Sequence, residues 1–239
     1  MHLKSIYEEL ACLYLRLNGF LQHINYVLET TSGIAKEVDI IAYRPANAIE
    51  VDDKGNKLEP DHLLFNKIVE KLKGIIEKPL NTDELMKNYS IAAIVSVKGL
   101  HDEPWSEDEE KLKGKVNYAL NILGLSGKVK SCDLIENGIH IVDSNKTIIL
   151  LLGFSGREDS KNGKNTISWQ KSNACYLHIT HEATLVFILE RIRQCKLEKM
   201  KSIQYYPIPI FTTLILLSKL NYEIRKKDNT LEDNLSAGS

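Results

Sequence analysis

Apolar residues along this chain recur in two rhythms, one of three-and-four spacing and one of short unbroken runs. Leu3, Ile6, Tyr7, Leu10, Leu13, Tyr14 and Leu17 follow the first, which predicts an amphipathic helix over 3–18 closed by Gly19. A strand over 22–29, a turn at Thr30–Gly33 and a strand over 37–43 follow. From Arg44 to Asn88 the pattern loosens. A turn at 52–56 and a single helix carrying Leu63, Ile68, Val69, Leu72, Ile75 and Ile76 are expected there, as an insertion between core strands. Ile91 to Val97 is then continuously apolar, as strands buried on both faces are.

Ser106 with Glu109 reads as a capping box, and the acidic run Glu107 to Glu110 suits the positive end of a helix dipole. A helix is expected from there to Gly124, with Leu112, Val116, Ala119, Leu120 and Leu123 facing inward. Strands are expected over 128–132, 138–142 and 146–154, the last two joined by a turn at Asp143–Lys146, and then a polar loop over 155–164. Helices over 180–201 and 209–219 close the pattern, and 226–239 reads as a polar, disordered tail. The order helix, strand, strand, strand, helix, strand predicts an α/β (α+β) protein with a mixed sheet flanked by helices. Its expected parts are a core over 1–155 with the insertion at 44–88, a helical extension over 156–225 and the tail.

Composition narrows the partners. The 239 residues carry a formal charge of −1, so any attraction for a polyanion must be local. Between His181 and Lys227, nine Lys and Arg residues face four Glu residues, an excess suited to tracking phosphates, and equally to a solvated helix face. Cys12, Cys132, Cys175 and Cys195 form no close pair, which argues against a zinc site or a disulfide framework. The N-terminus has no apolar signal-like run, and Ile208–Leu217, interrupted by Pro209, is too short to span a bilayer. The expected location is the cytoplasm, without membrane association.

The chemistry lies in charges placed on apolar strands, where they are costly unless paired and therefore mark a site. Glu37 and Asp39 alternate on one face of the second strand, and Ser96 and Lys98 on one face of the third. Glu8 lies on the first helix. Carboxylates that hold Mg²⁺ together with a lysine that orients or stabilises the reacting groups are the parts that metal-assisted phosphodiester hydrolysis needs. Glu9 is expected to be a surface charge, His178 and His181 structural, and Trp105 and Trp169 packing residues.

These pieces carry a resemblance. Glu8-x-x-Ala11-x-x-Tyr14-Leu15-x-x-x-Gly19-Phe20, then Glu37-Val38-Asp39-Ile40-Ile41-Ala42, then Val95-Ser96-Val97-Lys98 are similar to the PD-(D/E)xK, restriction-endonuclease-like superfamily, in particular its small resolvase-like members. The resemblance implies that Asp39 is the principal metal ligand, Lys98 the catalytic lysine, Glu8 a supporting acid and the carbonyl of Val97 a backbone ligand of Mg²⁺ or Mn²⁺. It implies DNA as partner, and a homodimer where both strands are cut. Ser96 departs from the pattern, which wants Glu or Asp there; Glu37 or Glu8 would have to supply the missing charge. Two outcomes follow: a weak Mg²⁺-dependent DNA endonuclease with a degenerate site, or a non-catalytic interaction subunit of a DNA-processing or defence assembly.

Overall fold

The computed structural model describes residues 3–28, 36–51, 57–76, 80–142, 144, 146–156 and 167–194. The chain divides into two units, 1–185 and 186–239, the boundary falling inside its last described helix. The expected helix over 209–219, the tail, the turn at Thr30–Gly33 and most of the loop after Ser155 lie outside the described residues.

The first unit begins with α1 (Leu3–Leu17), then β1 (Leu21–Leu28) and β2 (Lys36–Arg44), which pair antiparallel. The insertion forms a small hairpin, β3 (Glu50–Val51) with β4 (Lys57–Leu58), and two helices, α2 (His62–Leu72) and α3 (Thr82–Asn88). The single helix expected here is therefore two. Asp61 caps the first through the amide of Leu63, and a capping box of Asn81 and Glu84 starts the second. β5 (Ser90–Val97) pairs antiparallel with β2 and parallel with β7 (Thr147–Ser155). Between them lie α4 (Glu109–Ile122), α5 (Ser131–Asn137) and β6 (Ile139–Val142).

Two expectations fail in this stretch. Residues 128–132 form no strand: Val129 makes an isolated bridge to Ser126, and α5 starts at Ser131. The cap of α4 is Asp108, which accepts from the amide of Lys111, so Ser106 lies outside the helix. β8 (Ile167–Lys171) and β9 (Cys175–Thr180), not foreseen from the sequence, extend the sheet, and α6 (His181–Gln194) follows directly. The resulting sheet has the order β1-β2-β5-β7-β9-β8, with β6 paired to β7 as a branch. It is a mixed sheet of parallel and antiparallel strands flanked by helices, as expected. Among the described residues no helix is long and apolar enough to cross a membrane.

The core follows from the two central strands. Every residue of β7, and of β5 from Ile91 onward, is buried, so both faces must be covered. On one face, Ala92, Ile94, Ile149 and Leu151 pack with Leu112, Val116 and Leu120 of α4 and Leu134 of α5. On the other, Tyr14 of α1 meets the edge of Phe154. Each fully buried Ile, Leu or Val in these strands contributes about 1.5–3 kcal/mol.

Gly138 shows how tightly this packing closes. It ends α5 at φ +74°, and a Cβ there would lie 2.6 Å from the Cys175 carbonyl oxygen. Replacing Gly138 with Ala is expected to lower stability by about 1–3 kcal/mol through backbone strain and this clash, read from denaturant midpoints.

Candidate functional site

The β2–β5 ladder runs from Arg44 opposite Ile91 to Ile40 opposite Val95. One step further, the same register sets Asp39 across from Ser96, and both are buried. There the backbone pairing gives way to a side chain. A carboxylate oxygen of Asp39, Oδ2, accepts the amide N–H of Val97 at 2.7 Å. A charged acceptor on a buried amide is among the stronger hydrogen bonds, which explains how an aspartate persists in an apolar strand.

Lys98, the next residue, leaves the sheet under restraint. Its N–H donates to the Phe154 carbonyl (2.8 Å), and its own carbonyl accepts from His181 Nε2 (2.8 Å) at the start of α6. The Lys98 ammonium lies 3.6 Å from Glu107, whose same oxygen, Oε1, also accepts from Lys115 at 2.6 Å. Burial pushes the Glu107 carboxyl up, but the hydrogen bond and charge of Lys115 and the charge of Lys98 outweigh it and hold the group below its ordinary range. Its other oxygen is shielded from solvent without a hydrogen-bond partner.

Helix α1 lies beside this strand end. Tyr7 stacks on the His181 ring at 4.4 Å, and its ring reaches within 3.8 Å of where a Cβ on Gly99 would stand. Glu8, on the same turn, is buried. Burial, and then the charges of Glu8 and Glu9, push the Cys12 thiol up to about 12, so it is inert as a nucleophile near neutral pH. Glu9 is not the surface charge expected: it is half-buried, and its Oε2 is shielded without a partner.

Of the expected site residues, Asp39, Ser96, Val97 and Lys98 thus meet at the end of β5, with the first turns of α1 alongside. The backbone of Glu37 lies in β2 opposite Val27, and its side chain is outside the described residues. Mg²⁺ fits this arrangement poorly. Asp39 supplies one carboxylate, Ser96 is neutral, and among the described residues no three His, Cys, Asp or Glu groups come together to hold a metal ion.

Glu107 is the site residue that the sequence misassigned. It reads as part of a capping run, yet Asp108 takes the cap and leaves Glu107 one position outside the helix, turned toward Lys98. His178 and the two tryptophans bond within the fold. His178 hydrogen-bonds Ser155 (2.9 Å) and Gln170 (3.1 Å), Trp105 donates to the Leu152 carbonyl, and Trp169 donates to that of Lys67. His178 itself lies in β9, just before the helix.

Comparison of the chain with protein-family models, with curated protein sequences and with solved structures finds no match.

His181 gives the site a pH dependence. Its burial lowers its pKa below the ordinary 6.5, only partly opposed by the bond to Lys98. The folded state therefore binds fewer protons than the unfolded one, and its stability is full above about 6.5 and falls as the pH drops below that value. Denaturant midpoints measured from neutral to mildly acidic pH are expected to show that decline, and His181→Gln to flatten it.

Proposed function

We propose that this chain is a nuclease-fold protein that binds DNA and whose metal site is degenerate, so that Mg²⁺-dependent phosphodiester cleavage by it is weak. One observation carries the reading: the Asp39 carboxylate bonds to the amide between Ser96 and Lys98, where the resemblance puts the acid, the strand pattern and the lysine together. The surrounding order supports it. A helix, two antiparallel pairings and a parallel strand beyond a crossover helix carry these residues, with the insertion set aside.

Ser96 explains the degeneracy. A serine hydroxyl in place of a carboxylate removes one negative charge from the cation's surroundings, and hard divalent ions depend on that charge. The side chains on hand can still bind and orient a phosphodiester. The Lys98 side chain, 26 % exposed, is reachable by a phosphate oxygen, and Asp39 anchors the strand end from which it projects.

A second reading is favoured by a different observation. The Lys98 ammonium is already paired with Glu107, and Asp39 is already committed to a backbone amide. Groups satisfied within the fold suit a non-catalytic subunit that docks a partner in a DNA-processing assembly.

Restoring the acid separates the two. In the first reading, Ser96→Glu creates Mn²⁺- or Mg²⁺-dependent nicking of plasmid DNA and saturable Mn²⁺ binding, and adding Asp39→Ala abolishes both. Folded Ser96→Glu protein that neither binds Mn²⁺ nor nicks DNA would favour the second.

A further inference from the structure

At the other end of β2 from Asp39, five residues or about 16 Å along the strand, the sheet closes on a second feature that owes nothing to the nuclease reading. Arg44, the last residue of β2, is 3 % exposed. Its guanidinium donates to three carbonyls: Nε to Asn18 at 3.1 Å, Nη1 to Met86 at 3.4 Å and Nη2 to Ala48 at 2.9 Å. It also sits 5.1 Å from the centre of the Phe65 ring. Among the described residues no carboxylate pairs with it. These three bonds use three of the five N–H donors of a guanidinium, whose positive charge is permanent.

A buried cation without an acid is uncommon, because carbonyl dipoles orient it but do not cancel its charge. Here the cation also borders a cavity of about 280 Å³, between the end of α1, the β3–β4 hairpin and α3. Lys57 and Lys87 stand on the wall and Asp83 is the one acid among its described residues, so that described lining carries a net charge of +2. Lys57 has only a loose surface contact, 3.9 Å, with Glu59, which does little to quench it. Apolar surface from Leu17, Ile49 and Leu58 completes the walls. Gly19, at φ +81°, keeps the floor open: a Cβ there would lie 3.4 Å from Arg44 Nε and 3.3 Å from Ala48 Cβ.

We propose that this cavity is a binding site for a phosphate monoester, its dianionic group on Arg44 between Lys57 and Lys87 and its organic part against the apolar walls. Charge favours this ligand: a dianion matches the +2 of the described lining, whereas a carboxylate would leave it half-compensated. A planar guanidinium with two free N–H groups suits phosphate oxygens. The phosphate can belong to a small metabolite or to the 5′ end of a nucleic-acid strand, since both present the same group.

The test uses the full chain and thermal unfolding. Inorganic phosphate at millimolar concentration, set against potassium chloride of equal ionic strength, is expected to raise Tm by about 2–4 °C, and acetate to do less. Arg44→Lys removes the fork but risks the fold, so the decisive variant is Lys57→Ala with Lys87→Ala on the surface wall, which should keep the wild-type Tm without phosphate and lose most of the shift. A shift no larger than that of chloride, or one unchanged in the double variant, overturns the proposal. A 5′-phosphorylated oligonucleotide that binds Lys57- and Lys87-dependently where its 5′-hydroxyl counterpart does not would identify a strand end as the source; ribose 5-phosphate binding alone would identify a metabolite.

Discussion

The parallel pairing of β5 with β7 is the constraint from which the rest of the first unit follows. Neither strand has a solvated face, so each residue placed there must be apolar or have its polar atoms met on the spot, and helices must cover both sides. The parallel connection needs a crossover, and α4 with α5 supplies it while burying the face of Ile94 and Leu151. Polar chemistry is thereby driven to the strand ends. Asp39, Lys98 and His181 gather at one end, and Arg44 stands at the other.

Each end solves the problem of a buried charge differently. Asp39 meets a backbone amide, a neutral partner, and the nearby Lys98 and Lys115 share one carboxylate oxygen of Glu107. Asp39, Glu107, Lys98 and Lys115 carry two charges of each sign. Arg44 has dipoles and an aromatic face, with no counter-charge among the described residues, and it borders open volume. A fold can hold a cation in this way, since the carbonyl of Asn18 just past the end of α1 and that of Met86 in α3 bring the negative ends of two helices to it. Those dipoles orient the guanidinium without cancelling its charge.

The sequence disclosed the elements whose signal is local. The three-and-four rhythm of α1, the unbroken run of β5 and the hairpin of β6 with β7 are all where their apolar patterns put them. β8 and β9 were missed because Gln170, Lys171, His178 and Thr180 dilute the apolar signal, and their pairing partners lie far along the chain or across a loop. The false strand at 128–132 has the same cause in reverse: Lys128-Val129-Lys130 mimics alternation, while tertiary packing of Leu134 and Ile135 selects a helix. In the site, Asp39, Ser96 and Lys98 were readable because period-two spacing fixes faces. Glu107 was not, because its role depends on a cap one residue later and on a lysine nine residues earlier.

That difference explains why charge on a strand was the more informative signal. An acid in a helix-starting run has an ordinary local use, so its sequence context cannot tell a cap from a partner of Lys98. An acid in the middle of Val38, Ile40 and Ile41 has no such use, and its burial must be answered by something tertiary. The answer found at Asp39 is the amide of Val97. Asp39 therefore does two things with one group: it closes the β2–β5 ladder where backbone pairing stops, and it fixes the direction in which Lys98 leaves the sheet. Arg44 repeats the logic at the far end of the same strand, where its guanidinium ties together the chain after α1, the end of α3 and the turn before β3. The β2–β5 ladder is thus bounded by two charges of opposite sign, each holding the ends of other elements in place.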